Sequence, residues 1–301
     1  MRGDEDEGAR GDADGGATGR DARQSPRRIA LCAVDVDAAV AACGLDALVA
    51  ALADDPDRRA RLARIRHPDG RARSAVGALL ARRMAAARLG GDPAAVRFGS
   101  APHGRPYVLG APGLWHSVAH SGRWVVCAVA DGPVGVDVEL LRPVDVLRLA
   151  RRFSPAERAA LTALAPPAAP AVRARAGAAP DEPDRRAEEV LRRAFFAIWT
   201  AKESYVKALG LGLRVPLASF TAALGGAGDG TVALSGPDGR PLSGWSARAY
   251  ALDASHPVAL CARAGRRRFP TRILRVAPAL LHAIESARDG RSRGAARGGR
   301  R

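Results

Sequence analysis

A chain of 301 residues with 47% hydrophobic side chains is long enough for one large domain or two modest ones, and too apolar for global disorder. Its formal charge of +16 is not a property of the tails: residues 1–27 carry −2 and residues 269–301 carry +6, which leaves +12 in the middle and suits an anionic partner such as nucleic acid, a polyphosphate or an acidic protein face. No run approaches the ~20 apolar residues of a membrane span. The N-terminus has no apolar secretory core, and Cys32, Cys43, Cys127 and Cys261 form no CxxC or Cys/His cluster, so a soluble cytoplasmic chain with reduced, buried thiols is expected.

Residues 1–27 are rich in Asp, Gly and Arg and read as a disordered tail. An apolar run from Ile29 to Val36 reads as a strand. Residues 45–66 read as a helix or helix pair; their many arginines are discounted as a compositional habit of the chain. The spacing of Ala75, Val76, Leu79, Leu80 and Met84 predicts a helix over 71–89, closed by Gly90-Gly91. Short strands and turns follow over 92–113. Trp124–Ala130 and Val134–Leu141 read as two strands joined into a hairpin by Asp131-Gly132. Ser154-Pro155-Ala156-Glu157 starts a helix to about 165, with Ser as N-cap, Pro in the first turn and Glu closing a capping box. Residues 166–186 lack periodicity and read as a surface insertion or mobile loop. A long helix spans about 187–209 and stops at Gly210, and 215–262 reads as a strand meander. The final 30 or so residues hold one weak amphipathic stretch and an Arg/Gly tail. The division is therefore a disordered 1–27, an α+β half over 28–130, a second over 131–268 that carries the insertion, and a largely disordered basic tail over 269–301.

Three local groups invite chemistry. In Gly135-Val136-Asp137-Val138-Glu139-Leu140, strand alternation puts the valines on a buried face and Asp137 with Glu139 on the other. Two such carboxylates are either the solvated outer face of a hairpin or hard ligands for Mg²⁺. In the long helix, Phe195, Ile198, Lys202, Val206 and Leu209 share one stripe, so the Lys202 ammonium must snorkel out or meet an anion. Glu203 and Lys207 sit one turn apart, either as an ordinary ion pair or beside a metal and a polyphosphate. His116-Ser-Val-Ala-His120-Ser-Gly-Arg-Trp124 reads as a polar turn or as a phosphate-accepting loop.

In this order, the segments resemble the Sfp-type 4'-phosphopantetheinyl transferase family. Gly135–Glu139 matches its first hallmark, and Trp199-Thr-Ala-Lys202-Glu203-Ser-Tyr-Val-Lys207-Ala-Leu-Gly210-Leu-Gly212-Leu213 its second. Phe153-Ser-Pro-Ala-Glu157, Ala119-His120-Ser121-Gly122, Gly104-Arg105-Pro106 and Arg73-xxx-Gly77 with Arg82 correspond as well, over about residues 60–262. The resemblance implies an α+β pseudo-dimer, two similar halves in one chain with CoA between them. It implies that the 4'-phosphopantetheine arm of CoA passes to a serine of an apo acyl or peptidyl carrier protein, in polyketide, non-ribosomal peptide or fatty-acid synthesis, with release of 3',5'-ADP. Asp137, Glu139 and Glu203 become Mg²⁺ ligands, with Glu203 also the candidate base. Lys207 and Lys202 neutralise the pyrophosphate, while Arg73, Arg105 and His120 bind the nucleotide end. Two departures stand out: Ala119 replaces a serine, and Pro68 takes the place of a lysine for which Arg66 or Arg71 could substitute. A monomer without membrane or nucleic-acid partners follows. The alternatives are another Mg²⁺-dependent phosphate enzyme, such as a nuclease, and a basic nucleic-acid-binding protein.

Overall fold

The computed structural model describes residues 28–101, 106–166, 182–225, 229–265 and 268–281. The expected tail 1–27, Arg105 and residues 167–181 of the insertion lie outside these. In chain order the elements are β1 (Ala30–Asp35), α1 (Val36–Cys43), α2 (Leu45–Ala50), α3 (Pro56–Arg64), α4 (Pro68–Leu89), β2 (Phe98–Ser100), β3 (Pro106–Val108), β4 (Trp115–Ser121), β5 (Trp124–Ala130), β6 (Val134–Val138), α5 (Val146–Leu149), α6 (Pro155–Leu164), α7 (Glu182–Leu209), β7 (Thr221–Leu224), β8 (Thr231–Ser235), β9 (Trp245–Ala251), β10 (Pro257–Arg263) and β11 (Leu274–Arg275).

Among the described residues these form a four-stranded sheet in the order β11-β1-β5-β4, a five-stranded sheet β6-β10-β9-β8-β7, and the small ribbon β2-β3. The mixed helix and sheet is the α+β class expected. Period-two alternation explains the layering. On β5, Val125, Cys127 and Val129 face α4 in one core, while Trp124, Val126, Ala128 and Ala130 join Val134, Val136, Val138 and Leu260 in a core between the two sheets. α7 covers the far face of the second sheet through Ala201, Tyr205 and Ala208. The layers are thus helix, sheet, sheet, helix.

The expected β5–β6 hairpin does not form. Both edges of β5 are taken, by β1 and β4, and β6 pairs with β10 in the other sheet. The tight turn instead joins β4 to β5 at Gly122-Arg123, with Ser121 opposite Trp124. The segment read as a polar loop is therefore mostly strand. The two sheets are stitched by side chains: Ser117 Oγ accepts from Val136 N–H at 3.1 Å, and Ser121 Oγ from Leu140 N–H at 3.0 Å.

Further boundaries moved. α4 begins at Pro68, with proline in its first turn, and ends on left-handed Gly90. α7 begins at Glu182, inside the stretch read as insertion. The segment after 268 is not all tail: β11 pairs in parallel with β1, and Leu281 is buried in the first core. Cys32, Cys127 and Cys261 are buried and Cys43 half-buried, all as free thiols.

Candidate active site

Gly135 sets the site's depth. A Cβ there would lie 2.0 Å from the Ser204 carbonyl and 2.4 Å from Ala208 N, so only glycine lets α7 press onto β6. That close approach buries the face expected to be either solvated or metal-binding. Asp137 is only 6% exposed. Its Oδ1 accepts from Lys207 Nζ at 2.7 Å, and its Oδ2 is buried with no hydrogen-bond partner. Burial raises its pKa to about 6 against the pull of Lys207, with the Glu139 and Glu203 charges adding to the rise. Glu203, half-buried on α7, is also shifted up by burial; Lys207 opposes this and Glu139 reinforces it. Glu139 Oε2 accepts from Ser121 Oγ at 2.9 Å and from Arg142 at 3.1 Å. The fold therefore gathers Asp137, Glu139, Glu203 and Lys207. Among the described residues no set of three His, Cys, Asp or Glu closes into a chelating cluster. Bare carboxylates repel, and here Lys207 and Arg142 sit on two of them.

Lys202 does not join this group. It is fully buried, its Nζ donating to both oxygens of Glu157 at 2.7 Å and to the Phe220 carbonyl at 2.5 Å. The anion that its apolar stripe demanded is a side chain of the protein, so its expected role at the CoA pyrophosphate is corrected to a structural one. Glu157 closes the predicted capping box by accepting from Ser154 N–H at 2.9 Å and also receives Ala222 N–H at 2.7 Å.

Beside the carboxylates opens a cavity of about 690 Å³ between α3, α4, β2 and β4. Arg73 and His120, expected at the nucleotide end, line it. The environment of the His120 ring lowers its pKa, first by desolvation and then by Arg73; Lys207 and Glu139 also act on it, which joins the cavity to the carboxylate centre. Sequence reasoning missed Arg58, Arg61 and Arg64, which line the same cavity. Their spacing of three on one helix was the available signal, lost when arginine runs were discounted. Asp55 caps α3, its carboxylate accepting from Arg58 N–H at 2.9 Å, and it is pinned by Arg82, 1% exposed and paired with Asp54 and Asp55. Arg66 and Arg71 are not among the lining residues; Arg71 donates to the Ile65 carbonyl at 3.1 Å. His116 is not among the expected site residues. It stands on the cavity wall against the Phe98 ring, 4.4 Å between centroids, and burial with the nearby Arg58 lowers its pKa to about 4.

Comparison with known proteins bears on the same segments. Residues 133–261 match the model of the 4'-phosphopantetheinyl transferase superfamily. A 4'-phosphopantetheinyl transferase of Bacillus subtilis is 33% identical over 206 residues, covering 68% of this chain and 80% of that protein. The 4'-phosphopantetheinyl transferase Sfp of Bacillus subtilis strain 168 is 28% identical over 207 residues, covering 69% and 81%. The 4'-phosphopantetheinyl transferase HetI of Nostoc is 32% identical over 164 residues, covering 52% and 60%.

Proposed function

Because the chain belongs to the Sfp-type 4'-phosphopantetheinyl transferase family and moves the phosphopantetheine arm of CoA onto a carrier protein, we propose that Asp137, Glu139 and Glu203 are the metal-holding carboxylates of that reaction. The observation that carries this reading is Asp137: a carboxylate buried between sheet and helix, with one oxygen on Lys207 and the other unpaired, flanked by two more acids. An unpaired buried oxygen is costly unless something binds it, and hard oxygen donors suit Mg²⁺. Bound there, Mg²⁺ would supply charge neutralisation at the pyrophosphate.

The protein's own groups do the rest. Arg58, Arg61, Arg64 and Arg73 offer a guanidinium-lined cavity for the nucleotide end of CoA, with His120 also on its wall. Glu203, its basicity raised by burial, takes the proton of the carrier serine hydroxyl as that oxygen bonds to the β-phosphorus. The bond to the leaving oxygen breaks, and Lys207 stabilises the charge that develops as 3',5'-ADP departs. Both sides of the centre come from one chain, which supports a monomeric enzyme. Free thiols support a cytoplasmic setting; among the described residues no helix is long and apolar enough to cross a membrane. The nuclease and nucleic-acid-binding readings leave the ordered motifs unexplained and are set aside.

The purified protein with CoA, Mg²⁺ and an apo-carrier is expected to add the mass of one phosphopantetheine to the carrier and to release 3',5'-ADP. Asp137→Ala and Glu203→Ala are expected to abolish both while leaving the far-ultraviolet dichroism intact. Wild-type turnover by either variant would overturn the assignment. Trials with fatty-acid, polyketide and peptidyl carriers identify the pathway served.

A further inference from the structure

The loop between β9 and β10 carries a buried histidine that the chemistry above does not use. His256 is 5% exposed, and its Nδ1 lies 2.8 Å from Asp253 Oδ1. Asp253 is held in turn, with Oδ1 accepting from Ser255 N–H at 2.8 Å and Oδ2 from Trp124 Nε1 at 2.9 Å. The ring therefore has one fixed orientation. Its Nε2 is buried without a hydrogen-bond partner and abuts Gly122, where a Cβ would come within 2.7 Å of it. Gly122 has φ +55°, and its carbonyl accepts from Arg73 at 3.3 Å.

The Gly122 turn matters because of its neighbours. Ser121 spans Glu139 Oε2 and Leu140 N–H, and His120 reaches the nucleotide cavity. The histidine loop also grips the other side of the same strand end, since the carbonyls of Ser255 and Pro257 accept from Leu141 N–H at 2.8 Å and Glu139 N–H at 3.2 Å. Glu139 is thus braced twice from one loop, through its backbone by Pro257 and through its side chain by way of the Gly122 turn.

We propose that the Asp253–His256 pair is a positioning device for the metal and CoA site: the ring, oriented by Asp253 and seated against Gly122, sets the turn that presents Ser121 to Glu139 and His120 to the cavity. This rests on Glu139 being a metal ligand. The ring acts by shape as much as by bonding, because only glycine at 122 admits it and an imidazole both fills the space and bonds Asp253.

Calorimetric titration of Mg²⁺ into the CoA-saturated protein, and of CoA into the protein, tests this apart from turnover. His256→Ala is expected to fold, to weaken Mg²⁺ binding by about tenfold as loss of a ligand-orienting contact does, and to raise the CoA KM more than it lowers kcat at saturating Mg²⁺. Gly122→Ala is expected to do likewise, by pushing the turn off the ring. In the Gly122→Ala/His256→Ala double variant the methyl group enters the space the ring has left, so its Mg²⁺ affinity is expected to be no worse than that of Gly122→Ala alone. If His256→Ala does not fold, His256→Asn keeps a bond to Asp253, removes the contact with Gly122 and is read in the same way. Wild-type Mg²⁺ and CoA affinities in the His256 variant, or single losses that simply add in the double, overturn the positioning role while leaving the proposed centre standing. Failure of Mg²⁺ to bind the wild-type protein overturns the centre and this role together.

Discussion

Burial lifts the Asp137 carboxyl to about 6, above its value in an unfolded chain, and the sign of the consequence is fixed. Below about pH 4 the acid is protonated in both states. Between there and pH 6 the folded protein holds a proton that the unfolded chain has lost, so stability falls as pH rises through that window. In chelator, Asp137→Asn is therefore expected to flatten this fall and raise the Tm at pH 8, while removing arm transfer; scans of thermal unfolding against pH check it. Lys207, about one-third exposed, remains hydrated when its partner charge is gone. At this scale the sequence was informative where chemistry is local. The Asp137/Glu139 alternation, the Ser154 capping box and the buried stripe of α7 follow from spacing alone. The partner of Lys202 was not legible, because Glu157 lies a separate helix away and only packing brings it within 2.7 Å. Asp137's burial was equally hidden, since it depends on α7 crossing Gly135.

Between elements, the Glu157–Lys202 pair decides how α7 sits. It ties α7 to the first turn of α6 and to the strand end at Ala222, with Lys202 one residue from Glu203. Breaking a buried pair from one side leaves an uncompensated charge. Lys202→Met is expected to cost about 3–5 kcal/mol in chemical denaturation, while CoA affinity of the folded protein stays at the wild-type level. Lys207→Ala is expected to weaken CoA binding, which Lys202→Met does not, and also to lower stability, because it leaves the buried Asp137 carboxylate unpaired. A shared loss of CoA affinity would return Lys202 to the binding site. The hairpin expectation failed at this same scale. Asp131-Gly132 marks a turn wherever it occurs, but no local signal tells whether the chain re-pairs with the strand it has left. The unbroken apolar run of β5 marks a strand buried on both faces, but faces do not name the strands that take its edges.

For the whole molecule, the first sheet depends on residues from the far end of the chain. Leu281 is fully buried among α4 and its neighbours, and β11 lies against β1. Leu281→Ala is expected to destabilise the protein by about 2–5 kcal/mol, a loss that urea titration would register; an unchanged midpoint would mean that this end of the chain is not part of the core. The reading of 269–301 as tail missed this because two short strand residues amid Arg, Pro and Ala carry too little periodicity to signal pairing. The partnership has a temporal meaning during synthesis. β1 is made long before β11, one of its two neighbours in the sheet. Until β11 emerges, that edge of β1 is unfilled in the nascent chain, and an unpaired strand edge is a template for wrong pairing.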